Sequence, residues 1–99
     1  MPKKFKSGVL KILNLKRNKA YYLACHDLNE NIISQKKLLD EGKHKNFVLQ
    51  RDYFLQEGTE FIFEIIEKEI DFKTAVEIEE VWLESDKYAY NHSGNGRFI

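Results

Sequence analysis

Apolar residues along this chain come in short blocks, and the spacing inside the blocks changes from strand-like to helix-like and back. Residues 8–13 (GVLKIL) and 20–25 (AYYLAC) are compact apolar stretches joined by the polar segment 14–19 (NLKRNK). Two such stretches read as a β-hairpin whose loop is longer than the tight two-residue kind. From residue 27 the period lengthens. Asp27 is placed to accept backbone N–H bonds as a helix N-cap, and Glu30 stands where a capping-box acid reaches back. Leu28, Ile32 and Leu39 then share one stripe, with Asn31 and Gln35 at helical spacing along the same side, and Gly42 is the expected stop.

Residues 46–56 (NFVLQRDYFLQ) predict a second helix in which Val48 pairs with Leu55 and Phe47 with Phe54 one heptad apart, closed by Gly58. Residues 61–66 (FIFEII) are rich in β-branched and aromatic side chains and predict a buried central strand. Asp71 can cap a third helix that puts Ala75, Ile78 and Trp82 on one face, with Glu79 beside them and Glu77, Glu80 and Glu84 outward. Trp82 is expected in the core. Residues 85–99 read mostly as loop, because the NHSGNG stretch is too polar and glycine-rich for a regular element. The order β-β-α-α-β-α predicts an α+β fold, a three-stranded β-sheet flanked by helices.

The chain has 99 residues, enough for one core, and 42% hydrophobic beside 32% charged residues excludes the composition of a disordered segment. Formal charge sums to zero but is unevenly placed: every charged residue in 1–19 is Lys or Arg, while 57–86 is dominated by Glu and Asp. The expected organisation is a basic arm over 1–7, a domain over 8–91 and a tail over 92–99. Lys3, Lys4 and Lys6 in the arm suit a polyanion, against the plainer reading that they only aid solubility. The single cysteine, Cys25, excludes an intrachain disulfide and a Cys-based zinc cluster, which fits a cytoplasmic setting. No apolar run approaches a membrane span, so no membrane partner is expected. The apolar end at Phe98 and Ile99 would favour a homo-oligomer if exposed.

Cys25 and His26 are adjacent, so on a strand they point to opposite faces and do not form a thiol–imidazole couple. The expected state of Cys25 is a small buried hydrophobe. His26, His44 and His92 show no metal-ligand spacing and are expected at the surface, His44 being the one retained as a candidate.

Taken together, several segments resemble the GIY-YIG endonuclease family. Residues 7–10 (SGVL) resemble its Gly-Ile-Tyr strand, 18–23 (NKAYYL) its Asn-Lys-Val-Tyr-Ile-Gly strand, and 41–46 (EGKHKN) with Leu49 and Gln50 the segment linking its first two helices. Residues 78–83 (IEEVWL) resemble the helix carrying its metal-binding Glu, and Tyr90 and Asn91 with Gly94 and Gly96 its glycine-rich tail. The resemblance implies a GIY-YIG-like fold and places Tyr21, Glu79 and Asn91 at family site positions. It also implies losses: Leu10 stands at the first Tyr, Asn31 at the Arg, Gln35 at the His and Leu23 at the second glycine.

Leucine transfers no proton and an asparagine carries no charge, whereas phosphodiester cleavage needs a base, a cation and a divalent metal. The resemblance therefore implies a catalytically inactive nuclease-like domain, not an enzyme, with Tyr21, Glu79 and Asn91 as remnants. Binding would fall to Tyr21, Asn31, Gln35 and His44, helped by Lys3, Lys4 and Lys6. No cofactor is expected beyond a weak Mg²⁺ at a vestigial Glu79. Nucleic acid is the first partner. A protein-interaction module, inhibitor or regulator, on the same fold is the alternative, and a metal-dependent endonuclease with an altered site is a third.

Overall fold

A computed structural model describes residues 6–93. In chain order the elements are β1 (Gly8–Asn14), β2 (Lys19–Cys25), α1 (Leu28–Asp40), α2 (Phe47–Leu55), β3 (Phe61–Lys68), α3 (Phe72–Ser85) and a single 3₁₀ turn, Tyr90–His92. The three strands form one sheet in the order β2-β1-β3. Both pairings are antiparallel: Gly8 to Asn14 lie opposite Cys25 to Lys19 on one side and Lys68 to Phe61 on the other. The predicted α+β order is therefore the observed one. Lys3, Lys4, Gly94, Gly96, Phe98 and Ile99 lie outside the described residues.

The central strand is β1, not β3. Val9, Leu10, Ile12 and Asn14 are completely buried, while β3 alternates between half-buried and exposed and leaves Ile62 and Ile65 about two-fifths exposed. The reason is that β1 has a strand on each side and helices on both faces. FIFEII is as apolar as a central strand because Phe61 and Phe63 pack on one face and Ile66 on the other. Apolar density registers the covered faces and is blind to the open edge. Close approach of β3 also demands the glycine at position 8, where a Cβ would run into the Glu67 carbonyl oxygen and Leu28 Cδ1.

The helix ends follow local chemistry. Asp27 Oδ1 accepts the Glu30 N–H (3.2 Å), Asn46 Oδ1 the Leu49 N–H (3.1 Å) and Asp71 Oδ1 the Thr74 N–H (2.9 Å). At the other end of α1, Gly42 takes φ +72°. The Lys43 N–H donates to the Leu38 carbonyl (2.8 Å) and the Gly42 N–H to Leu39 (3.2 Å), a Schellman stop.

Helices α1 and α2 cover one face of the sheet, where Leu10, Ile12, Tyr21, Cys25, Leu28, Leu39, Leu49 and Tyr90 form the main core. Helix α3 covers the other face over Ala20, Tyr22 and Ala89. The heptad pairing expected in α2 does not occur: Phe47, Phe54 and Leu55 are exposed, and α2 turns Leu49 and Asp52 inward instead. Asp52 is buried because it is fully partnered. The Tyr90 hydroxyl donates to it (2.7 Å), and Arg51 and Arg17 lie at 3.2 and 3.6 Å. Trp82 is likewise not core. It is 36% exposed and stacks on Tyr22 with ring centroids 5.6 Å apart, the Lys11 ammonium 5.5 Å from its ring.

The Asp52 network ties the C-terminal turn to the sheet. Asn14 Nδ2 donates to the Tyr90 hydroxyl (3.0 Å) and to Gln56 Oε1 (2.7 Å), so strand, helix and turn share one buried set of polar groups. Tyr90→Phe removes the hydroxyl donor from a buried carboxylate. It is expected to cost about 1–3 kcal/mol, read as a lower urea midpoint at unchanged denaturant slope.

Candidate functional site

The site residues assemble along the outer edge of β2. On this strand Tyr21 and Cys25 face α1 and α2, and Ala20 and Tyr22 face α3. Among the described residues the edge has no neighbouring strand, and side chains satisfy its backbone. The Tyr22 N–H donates to Asn91 Oδ1 (2.9 Å), and Asn91 Nδ2 returns a bond to the Tyr22 carbonyl (2.7 Å). One turn of amide thus replaces a strand partner. Two residues on, the Ala24 N–H donates to Glu79 Oε2 (2.5 Å).

Asn91 and Glu79 reach this edge because their own segments are pinned. Asn46 caps α2 with its oxygen and donates from Nδ2 to the carbonyls of Tyr90 (2.8 Å) and Ser93 (3.0 Å), which holds the turn carrying Asn91. Tyr22 donates its hydroxyl to Asp86 just past α3 (2.8 Å) and stacks on Trp82, which fixes the helix carrying Glu79. A cleft of about 300 Å³ opens here, lined by Tyr21, Tyr22, Leu23, Lys45, Glu79 and Asn91.

Tyr21 is 2% exposed. Burial, with smaller contributions from the Glu79 carboxylate and Cys25, pushes its hydroxyl up to about 12, so it stays protonated at neutral pH. Its ring meets His44 edge-on at 5.1 Å. His44 is buried rather than exposed, the one candidate imidazole drawn into the fold. Its Nδ1 accepts the Asn46 N–H (3.0 Å), so Nε2 carries the proton and donates to Gln35 Oε1 (2.5 Å). Burial and the neighbouring Lys45 lower it to about 4, and it is neutral near pH 7.

Of the residues singled out in the sequence, Tyr21, Glu79 and Asn91 line the cleft, and Gln35 and His44 join it through the Tyr21 ring. Asn31 does not line it. Its Oδ1 instead accepts the Asp27 N–H (3.4 Å) at the start of α1. Lys6 lines a different hollow with Asp27, Leu28, Asn29, Ile65, Lys68 and Glu69. Leu10, where the resemblance expects a tyrosine, is completely buried in the main core.

Two residues escaped the sequence reading. Lys45 brings a cation into the cleft, and Asn46 latches the turn. The signal was a polar triplet between two helices: His44 and Asn46 both turn inward, which leaves the residue between them facing out. The Cys25–His26 pair is no couple. Cys25 is buried with its thiol pushed up to about 11 by desolvation, and His26 is exposed and stacks on Phe72 at 3.5 Å.

Among the described residues no three His, Cys, Asp or Glu side chains gather to hold a metal. Among the described residues Glu79 is the one carboxylate lining the cleft, and one of its oxygens is engaged by the Ala24 N–H. These residues do not by themselves make a divalent-cation site. Also among the described residues, no helix is long and apolar enough to cross a membrane.

The depressed His44 makes stability depend on pH. The unfolded chain takes up this proton near its ordinary 6.5 and the folded chain only near 4, so the unfolded state binds more protons in between. Stability is present above about 6.5 and is lost as pH falls toward 4, by about 3 kcal/mol at most for this group. Urea unfolding across that window is expected to show the loss. His44→Asn, which keeps an acceptor for the Asn46 N–H, is expected to flatten it.

By sequence comparison no family profile and no curated protein match the chain. Solved structures do. The catalytic domain of the homing endonuclease I-TevI is 28% identical and superposes with a TM-score of 0.74 over 86% of this chain and 96% of that one. A glutamate-to-alanine mutant of the same intron endonuclease domain is 26% identical, with a TM-score of 0.74 over 90% of this chain and 95% of that one. Three antiparallel strands and three helices in the order β-β-α-α-β-α give this chain a GIY-YIG-like fold, the fold of a GIY-YIG nuclease catalytic domain.

Proposed function

We propose that this domain binds nucleic acid through the β2-edge cleft and has lost phosphodiester hydrolysis. The observation that carries this reading is the composition of the cleft. Among the described residues it offers one cation, Lys45, and one carboxylate already engaged by backbone, beside a tyrosine whose hydroxyl burial keeps protonated. Lys45 can hold a phosphate as a point charge, and hydroxyl and amide groups around it can orient a sugar–phosphate backbone. Hydrolysis needs more. A base must take a proton from the attacking water, and preorganised charge must meet the developing transition state.

The groups that could serve as base are withdrawn. Leu10 has no proton to exchange, His44 is buried and bonded through both nitrogens, and Tyr21 deprotonates far above neutral pH. Loss of one transition-state contact typically removes about 2.7–4 kcal/mol, so two or three losses leave little turnover. Likeness to an endonuclease domain supports nucleic acid as the ligand class. The alternative of a protein partner has one observation on its side, the exposed Phe54 and Leu55 of α2, which lie apart from the cleft.

Fluorescence anisotropy with labelled duplex, branched DNA and single-stranded RNA tests the binding half. Affinity is expected to fall as salt rises, and Lys45→Ala to weaken binding and shrink the salt slope by about one unit. Binding that ignores both salt and Lys45→Ala would overturn this half. Incubation with Mg²⁺ or Mn²⁺ tests the other half, with no nicking expected. Nicking that disappears in Glu79→Gln would make the domain an active nuclease with an altered site. Glu79→Gln keeps an oxygen for the Ala24 N–H, so it separates chemistry from folding. Glu79→Ala, which leaves that N–H bare, is expected to destabilise by about 1–3 kcal/mol more.

A further inference from the structure

The two edges of the sheet are treated differently. Side chains of Asn91 and Glu79 close the β2 edge, whereas the outer edge of β3 has no backbone partner among the described residues. The Leu15 N–H donates to the Glu60 carbonyl (2.8 Å), extending the β1–β3 ladder and fixing its phase. Glu60, Ile62 and Glu64 therefore turn their backbone groups toward β1, and Phe61, Phe63 and Ile65 turn theirs outward. Ile62 and Ile65 are 43% and 41% exposed on this strand. A row of donors and acceptors with no partner among the described residues, flanked by apolar side chains, is a template for another strand.

We infer that β3 pairs antiparallel with β3 of a second copy of this chain, joining the two sheets across a twofold axis at Phe63. The strand is self-complementary in that register. Phe63 faces Phe63 of the second copy, and Phe61 faces Ile65, all three positions having outward backbone groups. Aromatic–aromatic and aromatic–β-branched neighbours are favourable cross-strand pairs. Between them Ile62 faces Glu64 and Glu60 faces Ile66, so no two like charges meet. Shifting the axis to Ile62 sets Glu60 against Glu64 twice, and shifting it to Glu64 sets that carboxylate against itself. Both cost energy through like-charge contact. The irregularity between Val9 and Leu10 displaces β3 beyond Ile65 and limits pairing at that end. The interface is isologous and closes, so it ends at two copies.

Sedimentation velocity over micromolar to millimolar protein, with amide hydrogen exchange on the same samples, tests this pairing. A monomer–dimer equilibrium is expected. The amides of Phe61, Phe63 and Ile65 are expected to slow as concentration rises, while those of Ile62 and Glu64, already bonded to β1, do not change. Ile65→Lys is expected to abolish the dimer with an unchanged circular dichroism spectrum, and Glu64→Val, which places an aliphatic group opposite Ile62, to tighten it. A chain that stays monomeric, a dimer in which those three amides exchange at a constant rate, or a dimer that survives Ile65→Lys would overturn the inference. Should Ile65→Lys fail to fold, the exchange pattern of the unmodified chain decides the question.

Discussion

Among the described residues no strand lies beside the outer edge of β2, which must take its hydrogen bonds from side chains, and most of the C-terminal half is arranged around that need. Asn91 takes both backbone groups of Tyr22, and Glu79 takes the Ala24 N–H. Neither side chain could reach without the turn at Tyr90–His92 and the placement of α3. The turn depends on the buried Asp52, Tyr90 and Asn14 network and on the Asn46 amide, and α3 on the Tyr22 hydroxyl bonded to Asp86 and on the Tyr22–Trp82 stack. Buried polar groups of this kind are costly when half satisfied and rigid when fully satisfied. Every buried side-chain nitrogen and oxygen among the described residues has a partner.

The same arrangement shapes the chemistry of the cleft. A carboxylate used to close a sheet edge is held in place whether or not it handles a metal. An asparagine that mimics a strand partner is held whether or not it touches a ligand. Glu79 and Asn91 thus do structural work that is independent of any chemistry in the cleft. The cation in the cleft comes from the loop between α1 and α2 rather than from α1.

Local signals carried the sequence reading where a residue acts on its near neighbours. Asp27 and Asp71 cap helices, Gly42 ends one, and the hairpin follows from two apolar runs, because each effect is complete within a few residues. Signals that depend on what lies across the fold misled. FIFEII looked central though its far edge has no strand beside it among the described residues, Trp82 looked buried though it lies over Tyr22 at the surface, and the α2 aromatics Phe47 and Phe54 looked inward. Asp52 is the sharpest case. A hydropathy pattern places a carboxylate outside, and its burial rests on the hydroxyl of Tyr90, nearly forty positions further along the chain, and on Arg17 as well as on the neighbouring Arg51.

By itself, then, the sequence determined the element order and the caps and stop of α1 and α3 that it named, since capping, turn chemistry and periodicity act over short range. Tertiary structure alone decided which strand is central. It also decided that Lys45 rather than Asn31 supplies the side chain at the cleft, and that Glu79 and Asn91 are bound to backbone. The physical reason is that burial, the pKa of Tyr21 and the partnering of a sheet edge are properties of neighbours distant in sequence, and no single segment encodes its neighbours.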